Sequence, residues 1–132
     1  MHTIEVTYPQ NVQCLFQKII DDIALNISDD DLFAIELSFV EAVNNAMIHG
    51  NGRSKKKKVK IDYGINDDSI EITITDQGEG FNSQTLPDPT DNCNLTKDSG
   101  RGLLLMEHYM DYVNYNKKGN QVKMRKKVSF SA

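Results

Sequence analysis

Glu36–Gly52 reads "ELSFVEAVNNAMIHGNG", and the reading of this stretch decides the fold. Leu32, Ile35, Phe39, Val40, Ala42, Val43, Ala46 and Met47 fall on one broad side of a helix that ends at His49 and stops at Gly50. That side is a core stripe, and a glycine just past the last periodic residue is a common helix stop. The opposite side carries Ser38, Glu41, Asn45 and His49. Glu41, Asn45 and His49 are spaced by four, so they drift only about 40° per step and line one wall. A solvated helix face is usually rich in Lys, Arg and Glu. A carboxylate, an amide and an imidazole among small and apolar neighbours suit the wall of a cleft. The bland alternative keeps Glu41 solvated and lets Asn45 and His49 merely help end the helix.

Working outward, Thr3–Tyr8 alternates as a first strand, and Val12–Ile27 carries apolar residues at helical spacing. Ser28 suits an N-cap, with Asp29, Asp30 and Asp31 at the positive end of the second helix. Val59–Ile65 and Ser69–Thr75 read as strands joined by the turn Asn66-Asp67-Asp68. From Asp76 to Ser99 the chain is rich in Gly, Pro, Asn, Asp and Thr, a loop of a length more often functional than idle. A third helix is predicted over 102–112, then strands near Tyr112–Asn116 and Val122–Phe130. The order βααββ–loop–αββ predicts an α+β two-layer sandwich: a mixed, mostly antiparallel sheet with helices on one face.

Two further stretches carry polar residues where a core pattern ends. In "SIEITITDQGEGF", Ile70, Ile72 and Ile74 share a strand face, and Asp76 continues that row just as the strand stops. A carboxylate there is costly unless a donor meets it. It can accept from an amine such as adenine's, while Gly78 and Gly80 let backbone approach a flat ligand. A local turn closed by the Asp76 carboxylate explains the residue equally well. In "SGRGLLLMEHYMDYV", Gly100 and Gly102 flank Arg101 at a helix start, where unpaired N–H groups and a fixed cation favour phosphate. A plain helix start is the alternative. Leu103, Leu104, Leu105, Met106 and Met110 read as core.

The bulk properties bound the rest. The chain has 132 residues, enough for one domain over 1–132 with a real core. A net charge of −4 gives no reason to expect direct nucleic-acid binding, and Lys55–Lys58 reads as a solvated run. Cys14 and Cys93 form neither a disulfide framework nor a metal spacing. No leader pattern and no membrane-length apolar run is present, so a cytoplasmic protein without membrane contact is expected.

Taken together, Glu41-x-x-x-Asn45 with His49-Gly50, Asp76-x-Gly78-x-Gly80-Phe81, and Gly100-Arg101-Gly102-Leu103 resemble the Bergerat-fold ATPases. The likeness is greatest to the bacterial anti-sigma factor serine/threonine kinases, and it spans essentially the whole chain. It implies ATP and Mg²⁺ as cofactors. Asn45 would ligate the metal, Glu41 would be the general base, and Asp76 would hold the adenine amine. Gly78 and Gly80 would shape the pocket, while Arg101 and the Gly100–Gly102 backbone would hold the terminal phosphates. The matching positions His49, Phe81, Leu103 and Asn120 fall in the nucleotide site as well. Asn120 is a departure, because the family often has threonine there. The resemblance further implies a homodimer, a sigma factor and an antagonist protein as partners, and a lid over ATP within Asp76–Ser99. Two other functions remain open: an ATP-binding interaction module without phosphotransfer, and a histidine-kinase-type catalytic domain. Against the latter, no dimerisation helices with a phosphoacceptor histidine are evident, and His2 and His49 cannot fill that role.

Overall fold

The computed structural model describes residues 2–23, 27–78 and 106–128. Strand β1 is His2–Thr7, helix α1 is Val12–Ile23 and helix α2 is Asp29–Asn44, continued by a π-helical turn, Asn45–Gly50. Strands β2 (Lys58–Asn66), β3 (Ser69–Thr75), β4 (Tyr112–Tyr115) and β5 (Gln121–Lys127) complete one sheet in the order β1-β2-β3-β5-β4.

Alternation sets the inner face of that sheet. Val59, Ile61 and Tyr63 of β2 are buried with Ile70, Ile72 and Ile74 of β3 and Val122 and Met124 of β5. Register brings Ile61 opposite Ile74, and Ile72 opposite Met124. On this face lie Val12, Leu15, Phe16 and Ile19 of α1, and Ile35, Phe39, Ala42 and Val43 of α2, in one cluster. The outer face carries Lys60, Glu71, Lys123 and Arg125 and stays more open to solvent. Ser28 caps α2 as expected, its hydroxyl accepting from the Asp31 N–H at 3.3 Å.

Three expectations are corrected. Every described strand pairing is antiparallel, where a mixed sheet was expected. The chain leaves β1 at Thr7, runs out and back through α1 and α2, and enters β2 at Lys58 opposite Thr7. β3 and β4 do run the same way, but β5 lies between them, so no parallel neighbours arise. Secondly, the described α1 is Val12–Ile23, and Ile27, expected in the same helix, is buried outside it. Thirdly, α2 does not remain α-helical to His49: from Asn45 it winds as a π-helix. Of the third helix, residues 106–109 are helical and Met110 is not; its first residues lie outside the described ones.

Candidate active site

The starts of β2 and β5 and the ends of β1, β3 and β4 meet at one end of the sheet, and Asp76 emerges there. It keeps the inward parity of Ile74 and is 8% exposed. Its backbone is fixed by Asn120 from both directions. The Asp76 N–H donates to the Asn120 carbonyl at 2.8 Å, and Asn120 Nδ2 donates to the Asp76 carbonyl at 3.2 Å. The Gly78 N–H donates to Asp76 Oδ1 at 2.8 Å. The local carboxylate turn is therefore present, and the carboxylate is buried as well. Among the described residues no donor meets the other oxygen, Oδ2. Burial pushes the carboxyl above its ordinary value; the Gly78 N–H and the charges of Lys118 and Lys57 oppose that shift.

Glycine is required twice here by close approach. A Cβ on Gly50 would overlap the Asp76 carboxylate, and a Cβ on Gly78 would overlap the Gly50 carbonyl. The end of the helix is thus pressed onto the end of β3. Asn51, 4% exposed, locks that contact. Its Oδ1 accepts from the Gln77 N–H at 2.7 Å and its Nδ2 donates to the Lys58 carbonyl at 3.1 Å. Gln77 returns the link by accepting from the Lys58 N–H at 2.6 Å.

The π turn explains how the helix reaches this position. The Asn51 N–H donates to the Ala46 carbonyl at 2.8 Å and the Arg53 N–H to the Met47 carbonyl at 2.9 Å, wider spacings than an α-helix allows. Glu41 and Asn45 are half-buried, as a cleft wall requires. His49 lies on the π turn and is exposed. Ser38 also leaves that wall: it is fully buried, and its Oγ meets no partner among the described residues. The Asn45 side chain instead hydrogen-bonds Tyr115. Burial pushes the Tyr115 phenol up to about 12, with the Asn45 amide opposing and the nearby Asp76 charge adding to the rise.

The sequence model described as "Histidine kinase-like ATPase domain" matches residues 10–126. The chain belongs to this family. Within it, the chain is 37% identical over 108 residues to an anti-sigma F factor of Oceanobacillus iheyensis, covering 77% of this chain and 73% of that relative. It is 28% identical over 112 residues to the serine-protein kinase RsbW of the same organism, covering 80% and 71%. These matches place it among the anti-sigma factor kinases of the family. The catalytic domain of histidine kinase ThkA is similar in fold, with a TM-score of 0.56 at 13% identity over 99% of this chain and 100% of that one.

Of the residues predicted for a histidine kinase-like ATPase site, Asp76, Gly78 and Asn120 meet at the sheet end, Asn45 comes beside them through Tyr115, and Glu41 lies on α2 one helical turn before Asn45. Gly80, Phe81, Gly100, Arg101, Gly102, Leu103 and all but the first three residues of the expected Asp76–Ser99 lid lie outside the described residues. Sequence reasoning missed Asn51, Gln77, Tyr115 and Asn116. A polar residue directly after His49-Gly50 was the available signal for Asn51. Nothing local marks Tyr115, whose partner Asn45 is on another element.

Proposed function

We propose that this chain is an ATP- and Mg²⁺-dependent serine/threonine protein kinase that binds a sigma factor and phosphorylates its antagonist protein in a partner-switching circuit. The observation that carries this reading is the buried Asp76 carboxylate, fixed by Asn120 and Gly78 and overlaid by Gly50. A carboxylate held in this way, with Oδ2 unmet by the described residues, fits the exocyclic amine of adenine. The Asn45 amide supplies a carbonyl oxygen of the kind that Mg²⁺ accepts, and that metal usually takes few protein ligands beside substrate phosphates. When bound, the metal would neutralise charge on the ATP phosphates.

The chain's own residues supply the remaining parts. Asp76 holds the base and sets the direction of the triphosphate. Arg101 and the Gly100–Gly102 amides are the motif positions for the terminal phosphates. Glu41, one helical turn before Asn45, takes the proton of the incoming serine or threonine hydroxyl. The hydroxyl oxygen bonds to the terminal phosphorus as the bond from that phosphorus to ADP breaks. The names of the relatives, an anti-sigma F factor and a serine-protein kinase, support the sigma factor and the antagonist as partners. The edge position of β1 supports a homodimer built against that strand.

The test is single-turnover transfer from labelled ATP to a purified antagonist. Glu41→Gln should bind ATP and partner as wild type does, yet transfer phosphate roughly 10²–10⁴-fold more slowly, the usual contribution of a general base. Transfer at the wild-type rate would remove Glu41 from that role. A wild type that binds both ligands and transfers nothing would make the chain an interaction module.

A further inference from the structure

We propose that the two loops flanking Asp76 form a basic rim that steers the polyphosphate of ATP into the site. This rests on the reading of Asp76 as the contact for adenine. One loop follows the π turn and carries Arg53 and the lysines at 55–58; the other joins β4 to β5 and carries Lys117 and Lys118. Each of these residues is exposed. Among the described residues, none of them has an acidic partner within ion-pair distance. Solvation of a lysine run explains their exposure but not their place, because hydrogen bonds fasten both loops to Asp76 and Gln77. On one side the Lys58 N–H donates to Gln77 Oε1 at 2.6 Å, and the Gln77 N–H to Asn51 Oδ1 at 2.7 Å. On the other the Asp76 N–H donates to the Asn120 carbonyl at 2.8 Å, and Asn120 Nδ2 to the Asp76 carbonyl at 3.2 Å.

Both loops are held in shape. The Ser54 hydroxyl accepts from the N–H groups of Lys56 at 3.2 Å and Lys57 at 3.3 Å. Asn116 Oδ1 accepts from the N–H groups of Gly119 at 2.7 Å, Asn120 at 3.1 Å and Gln121 at 3.3 Å. Arg53 sits at φ 58, a left-handed conformation that glycine adopts more easily than arginine. The charges of Lys57 and Lys118 reach the Asp76 carboxylate and oppose the rise of its pKa. The rest of the chain has the opposite balance, since its net charge is −4. Asp22, at 3.3 Å from His2 and 2.8 Å from the Tyr63 hydroxyl, marks the far end of the sheet. The first turn of α2, with Asp29, Asp30 and Asp31, and the β2–β3 turn, with Asp67 and Asp68, lie at that end too. Helix α2 alone separates the two ends by about 24 Å, several Debye lengths at physiological salt. An anion near the site therefore feels the rim and not the acidic end, and such focusing raises association rates by roughly 10–10³.

The experiment is stopped-flow binding of ATP and of adenosine, each carrying the same fluorescent ribose label, at low and high salt. Lys55→Gln, Lys56→Gln, Lys57→Gln and Lys118→Gln combined should slow association of labelled ATP roughly tenfold at low salt, the lower end of electrostatic steering. Dissociation should stay within about twofold of wild type, because long-range attraction acts on the encounter and not on contacts already made. In about 1 M salt, where the Debye length is about 3 Å, variant and wild type should converge. Labelled adenosine has no phosphate charge and should bind both alike. Arg53→Gly removes one charge and relieves the left-handed backbone. It should unfold no more readily than wild type, yet slow ATP association about twofold at low salt. Equal ATP association rates for wild type and the four-lysine variant at low salt would overturn the proposal. So would a loss that persists in high salt or extends to adenosine. Unchanged ATP rates with weakened binding of the antagonist protein would also overturn it and assign the rim to an acidic protein surface. A wild type that binds neither labelled ligand would overturn the reading of Asp76, and the steering with it.

Discussion

The adenine arm around Asp76 and the metal arm around Asn45 are built from different materials. Around Asp76 the backbone does most of the holding. The main-chain N–H groups of Asp76, Gln77 and Gly78 each have a named acceptor, and Gly50 and Gly78 close against one another without side chains. Around Asn45 side chains do the holding: Glu41 and Asn45 project from a helix wall, and the Asn45 amide is tied to Tyr115. A flat base is recognised by a surface that need not move, so rigid backbone suits it. A metal and a transferring phosphoryl group change their demands during reaction, and side chains with rotatable bonds can follow. The contrast predicts that substitutions at the close-packed glycines of the first arm cost folding and affinity together, whereas those in the second arm cost chemistry or metal response alone.

The largest loss of stability should come from Gly78→Ala. The added Cβ meets backbone, the Gly50 carbonyl, which cannot swing aside. A cost of about 3 kcal/mol is expected, at the upper end for overpacking, measurable by urea unfolding. Gly50→Ala meets the Asp76 side chain instead. It should destabilise less, yet still displace the carboxylate and impair ATP binding. Equal stability losses for the two variants would break the distinction between backbone and side-chain contact.

Next in size is Asp76→Asn, expected to weaken ATP binding by about ten- to a hundredfold through loss of a charge-assisted hydrogen bond. Unchanged affinity by calorimetry would remove Asp76 from the pocket. Asn51→Ala should follow, at about 2 kcal/mol, because it leaves the Gln77 N–H and the Lys58 carbonyl without their partner. Asn51→Asp keeps the acceptor for Gln77 and should recover part of the loss. Failure of any recovery would mean that the Lys58 side of the link carries the whole effect.

The smallest effect is a pH dependence in the protein without nucleotide. Burial raises the Asp76 carboxyl pKa, so the folded state takes up a proton more readily than the unfolded chain. Ionised Asp76 thus costs stability above its folded pKa, and the cost disappears as pH falls through that value toward the ordinary 3.8. Asp76→Asn should therefore melt slightly above wild type near neutrality, with the gap closing on acidification. A gap independent of pH would show that the carboxylate is not penalised by burial. Raised stability with lost affinity in one variant would sharpen the comparison, since it marks a residue kept for binding at the expense of the fold.

Much of this was legible without coordinates. The alternation of Ile70, Ile72 and Ile74 placed Asp76 on the inward row, and the structure buries it there. The apolar stripe of α2 was read correctly from Ile35 to Met47. The polar wall was read only in part. Ser38 shares its angular sector with Glu41, yet neighbouring elements bury it completely. His49 was placed by α-helical arithmetic that the π turn invalidates. A sequence period reports which side of an ideal helix a residue occupies; it does not report where the winding changes to satisfy a contact.

Local periodicity alone therefore determined the strands, the two long helices and the inward carboxylate, because hydrophobic alternation acts between near neighbours in the chain. The three spaced motifs supplied the family resemblance, which the match over residues 10–126 bears out. Only tertiary structure decided how Asp76 is held, since its partner Asn120 is 44 positions away and becomes adjacent because β5 inserts beside β3. The same holds for the π turn that seats Gly50 on Asp76, for the Asn51 link across 26 positions to Gln77, and for the contact of Tyr115 with Asn45. These are contacts between elements, fixed by strand order and close packing, and no short window of sequence contains both partners.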